Sequence, residues 1–81
     1  MRVKVWDGSG EKYLGEGNYV GDVTVYFIMD EKGSLFSNHN AEIKPEGIPD
    51  DKIIMSRNNP KIILDNGDIV YGCQVWWKPI S

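Results

Sequence analysis

The sequence predicts an all-β fold, a small barrel of about five or six short antiparallel strands with at most one helical turn. Runs of alternating apolar and polar residues are separated by the turn formers glycine, proline, asparagine and aspartate. The chain has 81 residues, too few for an immunoglobulin-like sandwich of about 100 residues. Because barrel closure removes exposed strand edges, we expect residues 1–81 to form a single β-barrel domain.

The N-terminal segment, residues 1–7, alternates as a half-buried strand does. Its two valines, Val3 and Val5, share one face and are expected in the core. The opposite face carries Arg2, Lys4 and Trp6. The sequence Asp-Gly-Ser-Gly at 7–10 then predicts a turn that ends this strand.

A glycine-rich stretch precedes the second strand. Residues 11–21 predict an irregular loop, because glycine weakens regular elements, by about 1 kcal/mol against alanine in a helix. Glycines here are expected to mark a bulge or a close approach of another backbone segment. Residues 22–29 predict the second strand, and one apolar face of it holds Val23, Val25, Phe27 and Met29.

Turn signals dominate residues 30–44. The sequence Asp-Glu-Lys-Gly at 30–33 predicts a type I turn into a short strand at 34–37. A polar corner at 38–40 is expected to lead into a short edge strand at 41–44.

Three prolines are expected to interrupt regular structure in the next segment, residues 45–60. Pro45 ends ladder pairing because it has no N–H to donate. Pro49 precedes two aspartates and predicts the single helical turn, near residues 50–55, since proline and carboxylates suit a helix start. The Asn-Asn-Pro sequence at 58–60 predicts a loop.

A hairpin over residues 61–77 is the strongest local signal. Its Asn66-Gly67 dipeptide favours a two-residue type I′ turn, which needs positive φ at both central positions. This register places Leu64 opposite Ile69 and collects apolar residues on one face, namely Ile62, Leu64, Ile69, Tyr71, Cys73, Val75 and Trp77. A three-residue loop would slip the pairing by one residue and place Ile62 and Leu64 opposite the polar face of the second strand. We therefore predict the shorter turn, although it sets Asp65 opposite Asp68. Residues 78–81 are expected to be a tail.

Composition limits the classes of function. Nine basic and twelve acidic residues give a net charge of −3, which argues against unassisted binding to phosphate backbones. A single cysteine cannot form an internal disulfide, so we expect a reducing, cytoplasmic location. No apolar run resembles a signal peptide or a membrane span, and no membrane partner is expected.

Groups that could catalyse a reaction or bind a metal are scarce. His39 is the only histidine and is expected in a solvated loop. Cys73 is expected to be a buried thiol on the apolar strand face, without a basic neighbour to activate it. One cysteine and one histidine do not make a zinc site, so we expect no metal, no cofactor and no enzymatic activity.

Aromatic residues supply the candidate binding site. Trp6, Tyr26 and Trp76 fall on strand faces opposite the apolar ones, where exposed aromatics form recognition patches. Tyr13 and Tyr19 complete the candidate set, because a cage for a methylated cation requires several aromatics converging on an acidic residue, and these two with Tyr26 lie near Asp22. In the alternative interpretation, the glycine-rich loop or the N-terminal segment covers these aromatics as a second small core.

The order of elements resembles that of SH3-like barrels, including Tudor-like modules. The likeness spans a glycine-rich loop, the sequence GNYVGDVTVYF, the DEKG turn, a short strand, a proline-marked segment and a final hairpin. The chain is also similar to small proteins of bacteria and their phages. Trp76-Trp77 lies at the wrong end of the chain for the tryptophan pair of peptide-binding SH3 domains, so only the fold is carried over.

The outward-facing aromatic residues and the lack of catalytic groups suggest two functions. The first is a non-enzymatic module that binds another protein through its exposed aromatics. The alternative is a weak binder of single-stranded nucleic acid, which requires Arg2, Lys4, Trp6 and Trp76 to line up on one surface.

Overall fold

The computed structural model describes residues 1–37 and 40–80 and consists mainly of antiparallel β strands. The predicted all-β class is confirmed, as is a single helical turn, a 3-10 turn at Asp50–Lys52. The strands are β1 (Arg2–Trp6), β2 (Tyr13–Met29), β3 (Leu35–Phe36), β4 (Ile53–Leu64), β5 (Ile69–Tyr71) and β6 (Trp76–Pro79).

The strands pair in the order β5-β4-β2-β1-β6, and β3 pairs with β2. This path has two ends, and within residues 1–37 and 40–80 the strands do not close into the predicted barrel. Pro79 fits its place on β6, because a strand at the end of a sheet needs no N–H donor on its outer side.

The chain forms two compact units. The first comprises Met1–Asp22 and Asn59–Ser81, and the second comprises Val23–Asn58. The core of the first unit is a buried cluster of Val3, Val5, Ile62 and Leu64. Half-buried side chains pack against this cluster, namely Leu14, Tyr19, Val70, Val75 and Trp77. In the second unit the buried apolar residues are Val25, Ile28 and Ala41.

Strand β1 follows the predicted alternation. Val3 and Val5 are fully buried, and burying each valine contributes about 1.5–3 kcal/mol. Arg2 and Lys4 point away from the core and are exposed, as the period of two requires. The strand is held on both sides, by β2 and by β6.

The glycine-rich stretch is a strand, and the prediction of a loop over 11–21 was wrong. Strand β2 begins at Tyr13 and runs through all three of its glycines. At Gly17 a β carbon would lie 2.5 Å from the carbonyl oxygen of Ile63, so β4 packs directly on this backbone. The register against β1 shifts between Val5 and Trp6, which is a bulge. The expected bulge and close backbone approach are therefore both present.

The hairpin turn lies where predicted, but its register was wrong. Ile62 pairs with Val70 and Ile63 with Ile69, so the loop has the three residues that we rejected. Gly67 alone supplies the positive φ, at +94°, and its N–H donates to the Leu64 carbonyl at 2.8 Å. This longer loop avoids the Asp65–Asp68 clash. It leaves Ile69 half exposed, while Ile62 and Leu64 remain buried.

The second half of the predicted hairpin is two strands. After Tyr71 the chain turns, and the Gln74 N–H donates to the Tyr71 carbonyl at 2.8 Å. Cys73 lies in this turn and is exposed, so the predicted buried thiol was wrong. The predicted tail is also partly strand, because β6 extends to Pro79 and pairs with β1.

In the second unit, the turn at 30–33 is confirmed by a hydrogen bond from the Gly33 N–H to the Asp30 carbonyl at 3.1 Å. The short strand that follows is β3. Residues 41–44 form a turn instead of the predicted edge strand, and the Ala41 carbonyl accepts from the Tyr26 N–H at 2.7 Å.

The predicted loop at 58–60 is part of the continuous strand β4. Asn58 takes a positive φ of 58° there, which asparagine tolerates better than most residues. The fixed φ of Pro60 is compatible with extended backbone, so neither residue ends the strand. In β2 the deepest side-chain burial falls on Val25, from the predicted apolar face, and on Ile28, which alternation places on the opposite face. The polar corner prediction, which includes His39, lies partly outside the described residues.

Candidate functional site

Three aromatic residues form a row across three adjacent strands of the first unit. Trp6 on β1 pairs with Tyr13 on β2 and with Trp76 on β6. Directly opposite residues of antiparallel strands project to the same face, so all three lie on the outer face of β2-β1-β6. We call Tyr13, Trp6 and Trp76 the aromatic row. The Trp6 and Tyr13 ring centroids are 5.6 Å apart, with the rings tilted by 57°.

The aromatic row is open to solvent at both ends. The exposed fraction is 64% for Trp76 and 50% for Tyr13, whereas Trp6 between them is half-buried. The Trp76 indole N–H donates to the Gly8 carbonyl at 3.0 Å. This bond fixes an exposed side chain against the turn after β1, so the glycine-rich turn orients Trp76 without covering it. Such a side chain loses little conformational entropy on binding a partner.

A second row on the same face carries positive charge. Lys4 lies two residues from Trp6 and pairs with Lys78 on β6. We call Lys4 and Lys78 the lysine row. Strand geometry separates it from the aromatic row by about 6.6–6.8 Å. A depression between the strands is lined by Lys4, Trp6, Lys78, Pro79 and Ile80.

Arg2 at the far end of β1 is already engaged. Its guanidinium donates to both Asp65 carboxylate oxygens, at 2.7 and 2.6 Å, and lies 3.8 Å from Glu16. The Asp65 hydrogen bond raises the pKa of Arg2, and the Arg2 hydrogen bond lowers the pKa of Asp65. Arg2 therefore serves mainly to join β1 to the hairpin loop and adds little free charge to the face.

Tyr19 is separated from the aromatic row. Its ring stacks on Trp77, with centroids 5.7 Å apart and planes within 6°, and both residues pack on the core cluster. Its hydroxyl donates to Asp22 at 2.6 Å, and this hydrogen bond raises the pKa of Tyr19. The structure thus gives Tyr19 a place in the packing of the first unit.

Tyr26 belongs to the second unit. It is half-buried and lines a depression there with Lys44, Asp50, Ile53 and Met55. The Lys44 ammonium lies 3.4 Å from the Asp50 carboxylate, so this depression has a compensated charge.

The remaining reactive residue that the structure describes is Cys73. Partial burial raises the pKa of its thiol, which keeps it protonated and poorly nucleophilic near neutral pH. Within the described part of the chain, no three acidic, cysteine or histidine residues cluster as a metal site.

Sequence reasoning missed Lys78 and Ile80, because it treated residues 78–81 as a tail. The missed signal is the period of two in which Trp76, Lys78 and Ile80 alternate with Trp77 and Pro79.

No family model, curated protein or solved structure matches this chain. Across residues 1–37 and 40–80, no helix has the length and apolar character needed to cross a membrane. The function is therefore inferred from the geometry of the outer face.

Proposed function

We propose that this protein is a non-enzymatic module that binds another protein through the outer face of β2-β1-β6. The observation that supports it best is the aromatic row, in which an exposed Trp76 is held by a hydrogen bond to Gly8. Tryptophan and tyrosine dominate the energetics of protein interfaces, because each buries a large area at small entropic cost. Trp6 is the proposed centre of the contact, and Tyr13 and Trp76 are its flanks.

We propose that the scaffold is an SH3-like arrangement of strands in an open sheet. Support comes from the antiparallel pairing of six short and long strands and from the single helical turn between β3 and β4. In this proposal the module acts in the cytoplasm of a bacterium or in a phage-infected cell, consistent with its single cysteine.

Selection from a random peptide display library tests the binding function without a known partner. We expect the wild type to enrich a family of related peptides, and Trp76→Ala and Trp6→Ala to lose at least about tenfold in affinity for them. Ile69→Ala is the matched control, since Ile69 is an exposed apolar residue on β5 of the same unit. If the enriched peptides bind both tryptophan variants as tightly as the wild type, this function is wrong.

A second candidate is binding of single-stranded nucleic acid, because the lysine row lies beside the aromatic row. Bases stack on aromatic side chains while lysines contact phosphates. With two lysines available, the logarithm of affinity for oligothymidylate should fall with the logarithm of salt at a slope of about −1.4. A salt titration measures this slope, and lack of binding at low salt excludes the candidate.

A further inference from the structure

Building on the proposed binding function, we infer that the outer face takes an extended acidic peptide segment with an apolar or aromatic side chain two residues from a carboxylate. The apolar side chain lies on Trp6 and Trp76, and the carboxylate lies between Lys4 and Lys78. The partner is thus identified by its chemistry and by the spacing of its side chains.

Charge is the first argument. Lys4 and Lys78 are exposed and directly opposite each other, and among the described residues no carboxylate lies within 4 Å of either ammonium. Glu16, which is directly opposite Lys4 on β2, instead lies 3.8 Å from the Arg2 guanidinium. Like charges at opposite strand positions repel. A carboxylate placed between them relieves this repulsion and accepts a charge-assisted hydrogen bond from each lysine.

Spacing is the second argument. Side chains on one face of an extended chain recur every two residues, about 6.6–6.8 Å apart. The aromatic and lysine rows have the same separation, because Trp6 and Lys4 are also two residues apart on one strand. A segment running along β1 and β6 therefore places its alternate side chains on the two rows in register.

The surroundings of the lysine row favour a peptide over a nucleic acid. A nucleic acid brings a phosphate with every nucleotide. Glu16 on β2 is directly opposite Lys4 and so lies on the same face, and Asp65 lies beyond it on Arg2, so a long chain of phosphates would meet two carboxylates. The depression on the β6 side is completed by Pro79 and Ile80, which offer apolar contact. One carboxylate flanked by apolar side chains matches this arrangement better than a chain of phosphates.

Pro79 also favours docking on the face over pairing with the edge of β6. Addition of a strand to a sheet edge relies on main-chain hydrogen bonds, and proline offers no N–H for them. The side chains of the two rows then provide most of the recognition.

Titration of the ¹⁵N-labelled protein with capped peptides tests this inference. The probe is acetyl-Ser-Phe-Ser-Glu-Ser-Ile-Ser-amide. One control replaces its glutamate by lysine, and a second, acetyl-Ser-Ser-Phe-Glu-Ile-Ser-Ser-amide, places phenylalanine and isoleucine directly beside the glutamate, so that no apolar side chain is two residues from the carboxylate. We expect saturable shifts at Lys4, Trp6, Trp76 and Lys78, with affinity for the probe at least about tenfold above that for either control at low salt.

Charge reversal provides the matched protein variants. The double variant Lys4→Glu, Lys78→Glu should reverse the preference, so that the lysine peptide binds about tenfold more tightly than the glutamate peptide. The control Lys32→Glu, Lys52→Glu makes the same change of charge at exposed positions of the second unit and should keep the original preference. Lys4→Gln, Lys78→Gln should bind both peptides equally.

Several results overturn the inference. Equal affinity for the glutamate and lysine peptides would show that the partner need not be acidic. Equal affinity for the probe and the side-by-side peptide would show that the two-residue spacing is not recognised. Binding of oligothymidylate without the peptide identifies a nucleic acid instead, and concentration-dependent shifts at the lysine row without peptide identify a second copy of this chain. Selection of non-acidic peptides that still need Trp6 and Trp76 leaves the proposed function standing while refuting the acidic partner.

Discussion

Of the three glycines on β2, Gly17 is the one against which another strand packs directly. A β carbon there would lie 2.5 Å from the Ile63 carbonyl oxygen and 2.9 Å from the Leu64 α carbon, both of them backbone atoms. Since neither can rotate away as a side chain could, even a methyl group requires the two strands to separate. Glycine is needed here for space, and the position is one of the buried ones on the strand.

Gly17→Ala should therefore destabilise the protein by about 1–3 kcal/mol, the usual cost of overpacking a filled site. Urea unfolding followed by far-ultraviolet circular dichroism measures the change in unfolding free energy. The matched control is Asn18→Ala, the next residue and an exposed one, which should change stability by less than about 0.5 kcal/mol. Equal effects of the two substitutions would contradict the close approach of β4.

The Arg2–Asp65 pair makes stability depend on pH in the acid range. Arg2 holds the pKa of Asp65 below its ordinary value of about 4. A lowered carboxyl pKa stabilises the fold above the unfolded-state pKa, and this stabilisation is lost as pH falls through the folded-state pKa. The difference in stability between wild type and Asp65→Asn should thus shrink steadily below pH of about 4.

Urea midpoints from pH of about 6 down to about 2 test this expectation. Asp51→Asn serves as the control, since Asp51 is an exposed carboxylate in the second unit. Arg2→Gln should give the same acid dependence as Asp65→Asn, because either change removes the pair. A wild-type advantage that persists unchanged at the lowest pH would show that the pair contributes nothing through ionisation.

At the scale of elements, the hairpin between β4 and β5 shows how a three-residue loop is stabilised where the sequence predicts a two-residue turn. The Asn66 side-chain oxygen accepts from the Asp68 N–H at 2.9 Å, a local bond typical of asparagine in turns. Gly67 then takes the left-handed conformation that such three-residue loops require. The extra residue also leaves the Asp65 carboxylate free to bind Arg2.

Gly67→Val should cost at least about 1–2 kcal/mol of unfolding free energy, because a β-branched residue resists positive φ. Gly67→Asn should cost clearly less, since asparagine tolerates that conformation. Chemical denaturation of the two variants and the wild type provides the comparison. If valine and asparagine are equally tolerated, the turn conformation described for this hairpin is wrong.

Several predictions from local sequence succeeded, whereas the local patterns at 41–44 and 58–60 were misleading. The alternation of Val3 and Val5 and the turns at 30–33 and near 66 are local, so the sequence was sufficient for them. The three-residue hairpin loop has a local hydrogen bond from the Asp68 N–H to Asn66 and also the Arg2–Asp65 pair, whose two residues are 63 positions apart in the chain. The strand at Gly17 depends on the backbone of Ile63, which a local pattern does not reveal.

For the candidate site too, alternation along one strand was predicted correctly, whereas contacts between distant strands were not. A period of two correctly placed Trp6 away from the core, opposite Val3 and Val5. It did not show that Trp76 would pair with Trp6, because that contact joins the first strand to the last. It also did not reveal that Tyr19 would stack on Trp77 against the core.

At the scale of the whole molecule, the two units differ in how many apolar residues they bury. The buried core cluster belongs entirely to the first unit. Among the described residues, the first unit buries five apolar residues and exposes seven large ones, whereas the second unit buries three and exposes five. Fewer buried apolar contacts mean a lower free energy of local opening.

Amide hydrogen exchange should reflect this difference. We expect the β1 amides, held between β2 and β6, to exchange at least about tenfold more slowly than the β3 amides, after correction for intrinsic rates. Exchange monitored residue by residue in native buffer measures both sets. Similar protection in β1 and β3 would indicate that the chain opens as one cooperative unit.

The distribution of tryptophan gives the protein an optical asymmetry. All three tryptophans, Trp6, Trp76 and Trp77, lie in the first unit, and none of the indoles is in the second. Selective excitation of indole emission therefore reports on one half of the chain alone. Loss of order confined to residues 23–58 will be silent to this emission but visible in backbone absorption, so the mismatch between the two signals measures partial unfolding without any added label.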